Sequence, residues 1–223
     1  MKLVSRSYGG KVFRPSPIIH QEVDGSLLVV AFPWGDREMA KRSIDDMVGF
    51  LNAAISDVEV TTPFEVMTNL TRETNALRTA LLFINESVWR SDNKVSYSNG
   101  WEVLLLRKTG SQVSWARVGG PSLLVQRKDN SIFPISVGSD LVITQGLGAS
   151  APPLPAEILG LERHVNISCG DFLTSEGDQL ILFSASVWPG NLMGSPRMNL
   201  DSFSHLLTGL CEDSPFWAGI VSY

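Results

Sequence analysis

The sequence is poor in the features that mark several protein classes. It holds 2 cysteines in 223 residues, Cys169 and Cys211, too few for a disulfide scaffold and not arranged as a Cys-x-x-Cys pair. Its 3 histidines, His20, His164 and His205, have no second ligand at metal-site spacing. Charged side chains make up 18% of the chain and the formal charge is −5. Arg37 with Lys41 and Arg42, and Arg127 with Lys128, are the nearest approach to a basic cluster, and acids dilute both. No nucleic-acid partner is therefore expected. The longest apolar runs, Leu27 to Trp34 and Leu180 to Phe183, fall far short of the ~20 residues of a membrane-spanning helix. Met1 to Arg6 has no apolar core of signal-peptide length, so three Asn-x-Ser/Thr triplets, at Asn69, Asn85 and Asn166, are read as chance. The expectation is a soluble cytoplasmic protein with reduced thiols, no membrane partner and no cofactor.

What is present is 43% hydrophobic residues and turn chemistry in regular places. The length suits one domain over residues 1–223. Strand-like runs open the chain at Lys2 to Ser7, Lys11 to Arg14 and, after Asp24-Gly25, Ser26 to Phe32. Asp36 can cap a first helix whose apolar positions Ala40, Ile44, Met47, Val48, Leu51 and Ile55 recur at helical spacing. Thr62, Pro63 and Glu65 read as the capping box of a second helix carrying Met67, Leu70, Leu77, Leu81, Ile84 and Val88 on one face. From Trp101 the pattern turns to short β runs at Glu102 to Arg107, Gln112 to Val118, Ser122 to Arg127 and Ser131 to Ser136. Lys108-Thr109-Gly110 and Lys128-Asp129-Asn130 supply hairpin turns. Gly146 to Pro155 is a turn-rich loop, and strands resume at Glu162 to Ser168 and Gln179 to Ala185. A last helix, Leu200 to Leu210, capped by Asn199 or Asp201, precedes a terminal strand, Trp217 to Tyr223. The order predicts an α+β fold of two packed antiparallel β-sheets flanked by helix pairs.

Several phrases lie in an order that resembles the metal-dependent Ser/Thr protein phosphatases of type 2C, in their compact bacterial form. That family carries Asp-Gly-x-Gly-Gly at the end of a strand before its first helix, Val-Gly-Asp-Ser-Arg between two strands, and Gly-Asp followed by a strand into Ser-Asp-Gly-x-Trp. Here the first reads Val30-Ala31-Phe32-Pro33-Trp34-Gly35-Asp36, with Phe32 and Pro33 in place of Asp-Gly. The second reads Val118-Gly119-Gly120-Pro121-Ser122, with Gly120 and Pro121 where Asp-Ser would stand. The third runs from Gly170-Asp171 to Ser184-Ala185-Ser186-Val187-Trp188, with Ala185 and Ser186 replacing Asp-Gly. The segment Arg14-Pro15-Ser16-Pro17 has no acid, and Arg14 is the one basic residue there that could hold a substrate phosphate.

The resemblance implies a degenerate metal site. Phosphoester hydrolysis of this type needs carboxylates holding hard cations ~3.5–4 Å apart, and Phe32, Pro33, Gly120, Pro121 and Ala185 offer no side-chain oxygen. No catalytic residue and no metal ligand is assigned. The expected function is that of a pseudophosphatase acting through a protein partner: a phosphoprotein, a kinase or a regulator. The alternatives are an atypical phosphatase with Glu22, Asp36, Asp171 or Asp213 re-aimed, and a structural subunit of a larger complex. The aromatic residues leave two readings open for Phe32 and Trp34, an apolar plug of the cleft or a partner-binding surface. A Cys–His catalytic pair stands against the simpler expectation of structural thiols.

Overall fold

A computed structural model describes residues 1–56, 64–138, 140–147 and 151–223. In chain order the elements are β1 (Lys2–Tyr8), β2 (Ile18–Gln21), β3 (Leu27–Pro33), α1 (Arg37–Ser56), α2 (Arg72–Ser91), β4 (Trp101–Thr109), β5 (Gln112–Val118), β6 (Ser122–Gln126), β7 (Ile132–Ser136), α3 (Leu141–Thr144), β8 (Ser168–Leu173), β9 (Gln179–Ser184), α4 (Leu200–Cys211) and β10 (Phe216–Ser222). They form two five-stranded antiparallel sheets and belong to two compact units. The first unit comprises Met1–Ser16, Gly119–Ala156 and Thr174–Tyr223; the second comprises Pro17–Val118 and Glu157–Leu173.

The second unit holds the sheet β2-β3-β4-β5-β8 with α1 and α2. Alternate residues Leu27, Val29 and Ala31 of β3 and Val103 and Leu105 of β4 pack with Ala40, Ile44, Met47 and Leu51 of α1 and Leu77, Leu81, Ile84 and Val88 of α2. The period of two along the strands and of three to four along the helices meets in one apolar layer. The first unit holds β1-β10-β9-β6-β7 with α4. There Leu124, Ile181, Phe183, Ala218 and Ile220 pack with Phe203, Leu207 and Cys211. The β3, β6 and β9 strands are buried at every position, which is why they read as continuous apolar runs rather than alternating ones.

The local signals act as the chemistry requires. Asp36 Oδ1 accepts from the backbone N–H groups of Glu38 and Met39 at 2.8 and 3.1 Å, capping α1. Asn199 and Ser202 exchange bonds in a capping box at α4. Gly110 and Asn130 adopt φ of 61° and 71° in the hairpins.

Three predicted elements are displaced. Lys11 to Arg14 is not a strand; β2 begins only at Ile18, because Pro15 and Pro17 withhold ladder donors and the Lys11 N–H is spent on the Asp213 carbonyl at 2.7 Å. The second helix begins at Arg72 behind Thr71, not near residue 62; the Thr62–Pro63 cap lies outside the described residues. Met67 and Leu70 sit instead in a turn pinned by Asn75, whose amide accepts from the Met67 N–H and donates to the Met67, Leu70 and Thr71 carbonyls. The strand placed at Glu162 to Ser168 begins only at Ser168. Its lead-in carbonyls are taken by side chains: Asn85 donates to Glu162 and Arg163 at 3.0 and 3.1 Å, and Asn93 donates to Gly160 at 2.6 Å.

Candidate functional site

In the first unit the end of β9 carries Ser184, Ala185 and Ser186, all buried. The N-terminal segment brings Arg14 to them. Its side chain is 5% exposed, and its guanidinium donates to Ser184 Oγ at 2.6 Å, Ser186 Oγ at 2.7 Å and Asp140 Oδ2 at 3.1 Å. Ser186 Oγ also donates to Asp140 Oδ2 at 2.7 Å. Asp140 Oδ1 accepts from the N–H groups of Val142 and Leu154 at 3.0 and 3.1 Å, so one carboxylate caps α3 and anchors the loop after it. Arg14 Nε is buried without a partner, and Arg14 lines a pocket of about 20 Å³, room for a single water. Arg14 was the sequence candidate for holding a phosphate; it is instead an ion-paired, buried group. Sequence reasoning misses Asp140, because 126 residues separate it from Arg14 and no motif spacing links them.

The segment is seated by a close approach at Gly10, where a Cβ would lie 2.2 Å from the Asp213 carbonyl oxygen. Lys11 Nζ pairs with the exposed Asp213 carboxylate. Gly120 and Pro121, just before β6 in the chain, are buried, after Gly119 at φ 69°, a conformation that glycine adopts without strain. Trp188 is partly buried against Phe183, with ring centroids 5.8 Å apart.

In the second unit Phe32 and Pro33 end β3, and both are buried, Phe32 with none of its surface exposed. Of the two readings open for Phe32, an apolar plug and a partner-binding surface, full burial fits the first. Trp34 is half-buried, and its indole N–H donates to Glu102 Oε2 at 3.0 Å. Glu102 is itself buried on β4. The adjoining loop is held by the Trp34 N–H on the Gly100 carbonyl at 2.8 Å and the Asp36 N–H on Asn99 Oδ1 at 2.8 Å. On the neighbouring strand burial lowers the pKa of the Arg117 guanidinium, which Glu157 and Glu102 oppose.

No protein-family model and no curated protein sequence matches the chain. Solved structures do. PppA, described as a key regulatory component of T6SS in Pseudomonas aeruginosa, superposes with a TM-score of 0.65 at 20% identity, covering 99% of this chain and 96% of that one. MsPP, a PPM Ser-Thr phosphatase from Mycobacterium smegmatis solved with cacodylate, gives 0.60 at 13%, covering 100% and 98%. The catalytic domain of the serine threonine protein phosphatase PstP, solved with 2 manganese ions, gives 0.61 at 15%, covering 99% and 97%. The chain has the PPM-type Ser/Thr phosphatase fold. At these identities the likeness is one of fold, and it agrees with the resemblance read from the sequence.

The metal centre implied by a PPM-type phosphatase fold does not fit the residues present. Phe32, Pro33, Gly120, Pro121 and Ala185 have no side-chain oxygen, and Asp140 already faces a guanidinium. Among the described residues no group of three or more His, Cys, Asp or Glu side chains is placed to hold a metal ion. The four acids considered for a re-aimed site have other positions. Asp36 caps α1; Glu22 accepts from Asn52 at 3.4 Å and lies 3.6 Å from His20; Asp171 is exposed on the edge strand β8; Asp213 pairs with Lys11. Burial raises the pKa of both thiols, that of Cys211 to about 11, against the opposing fields of Arg14 at Cys211 and Arg78 at Cys169. Neither is an activated nucleophile.

Proposed function

We propose that this chain is a catalytically inactive protein of the phosphatase fold, a pseudophosphatase that acts by binding a protein in a bacterial regulatory assembly. The observation that carries the proposal is the Arg14–Asp140 pair. Where the resemblance calls for acids gathered around hard cations, the end of β9 offers Ala185 and two serines, and the nearby acid is neutralised by an arginine. Neutral Ser and carbonyl oxygens do not offset a divalent charge. Both units together make one functional domain in this proposal. A cytoplasmic setting is consistent with two unpaired cysteines and with the absence, among the described residues, of a helix long and apolar enough to cross a membrane.

The regulatory part of the proposal draws on PppA, a regulatory component of T6SS, and the partner is taken to be a phosphoprotein, a kinase or a regulator. Hydrolysis of an aryl phosphate by the purified chain in millimolar Mn²⁺ or Mg²⁺ is the test. Turnover indistinguishable from that of the heat-denatured chain is the expected result. Saturable turnover that is abolished by a chelator overturns the proposal.

A further inference from the structure

We infer that Arg14 is a built-in cation that stabilises the first unit without a bound metal ion: it gathers the end of β9, the start of α3 and the N-terminal segment around one centre of positive charge. The inference rests on the pseudophosphatase reading and extends it from chemistry lost to a structural device gained.

The geometry has the form of a ligand sphere seen from the cation. A guanidinium, planar and permanently charged, donates to three oxygens from separate parts of the chain: Ser184 and Ser186 flanking the end of β9, and Asp140 before α3. Asp140 passes the constraint on through its second oxygen to the Val142 and Leu154 N–H groups. The cation arrives on a segment that cannot drift. Gly10 passes against the Asp213 carbonyl, the Lys11 N–H bonds that carbonyl, and Pro15 is buried. At 5% side-chain exposure Arg14 needs its anion, and at 12% Asp140 needs its cation, so each is costly to remove alone. The exposed Lys11–Asp213 pair adds little by comparison. Added divalent cations therefore have no free carboxylate to occupy at this place, and the unit reaches full stability without them.

Melting curves of the full chain test this. The wild type is expected to melt at the same temperature in a chelator and in millimolar Mn²⁺ or Mg²⁺. Arg14→Ala is expected to lower the melting temperature by on the order of 10 °C. Asp140→Asn in the Arg14→Ala background should recover part of that loss, because the orphaned charge is gone. Should Arg14→Ala not fold, Arg14→Lys and Arg14→Gln keep the test open: lysine, which retains the charge, should melt higher than glutamine. A saturable rise of the wild-type melting temperature with Mn²⁺, additive losses in the Arg14/Asp140 cycle, or glutamine equal to or better than lysine overturns the inference. A wild type that hydrolyses aryl phosphate while melting identically with and without chelator overturns the functional proposal and leaves Arg14 in its role.

Discussion

Where the resemblance would place acids, the two units carry different kinds of residue. In the second unit the end of β3 is hydrophobic core: Phe32 is wholly buried and Pro33 beside it is buried too. In the first unit Ala185 is buried after β9, and beside it lies a polar network of Arg14, Asp140, Ser184 and Ser186. An apolar replacement gains transfer free energy and leaves no partner to satisfy. A polar replacement is stable only while every member is present, since a buried charge left alone costs several times what the pair gains. At this place the first unit holds a charged network around one arginine, and the second holds a buried ring.

Five substitutions would break or sharpen that contrast. The largest effect is expected from Phe32→Asp, which removes a buried ring and leaves a carboxylate at a position with no solvent exposure, a loss of roughly 5 kcal/mol or more. Against a typical stability of about 5–15 kcal/mol this abolishes or severely weakens the cooperative unfolding transition followed by circular dichroism in urea. A wild-type midpoint would show that β3 tolerates an acid after all. Trp34→Phe keeps the ring and removes the N–H that serves buried Glu102, for an expected cost of about 1–3 kcal/mol, read as a lower urea midpoint at unchanged slope.

Helix caps come next and should cost the same in both units. Asp36→Ala at α1 and Asn199→Ala at α4 are each expected to lose about 1 kcal/mol, a melting shift of about 2–4 °C; a much larger loss at one of them would mark that unit as the weaker. The smallest effect is alkaline. Cys211 titrates at about 11 in the folded chain against an ordinary 9.0. The unfolded chain therefore loses this proton first as pH rises, and the thiol's contribution, complete below pH 9.0, fades towards pH 11. Cys211→Ala should melt with a shallower fall over that window than the wild type.

The elements were largely legible because their signals are local. Gly110 and Asn130 turned the hairpins, Asp36 and Asn199 stopped the chain from continuing as loop, and the apolar periods of α1 and α2 met the alternating residues of β3 and β4. Where the expectation failed, a side chain distant in sequence had captured the backbone: Asn85 and Asn93 hold the loop that was taken for a strand at Glu162 to Ser168. Phe32, Pro33, Gly120, Pro121, Ala185 and Ser186 are the positions that the resemblance implies to be degenerate, read from the order of the phrases alone.

The sequence by itself determined the order of the sheets and helices and most of their positions, because caps, turns and periodicity act within a few residues. Only the tertiary structure decided what replaced the acids. Phe32, a candidate for an exposed anchor, is fully enclosed. Arg14 and Asp140, 126 residues apart, meet because the first unit draws the N-terminal segment, β9 and α3 together. An ion pair has no periodicity to read: its partners are chosen by where the folded backbone puts two charges that neither water nor any nearer residue can satisfy.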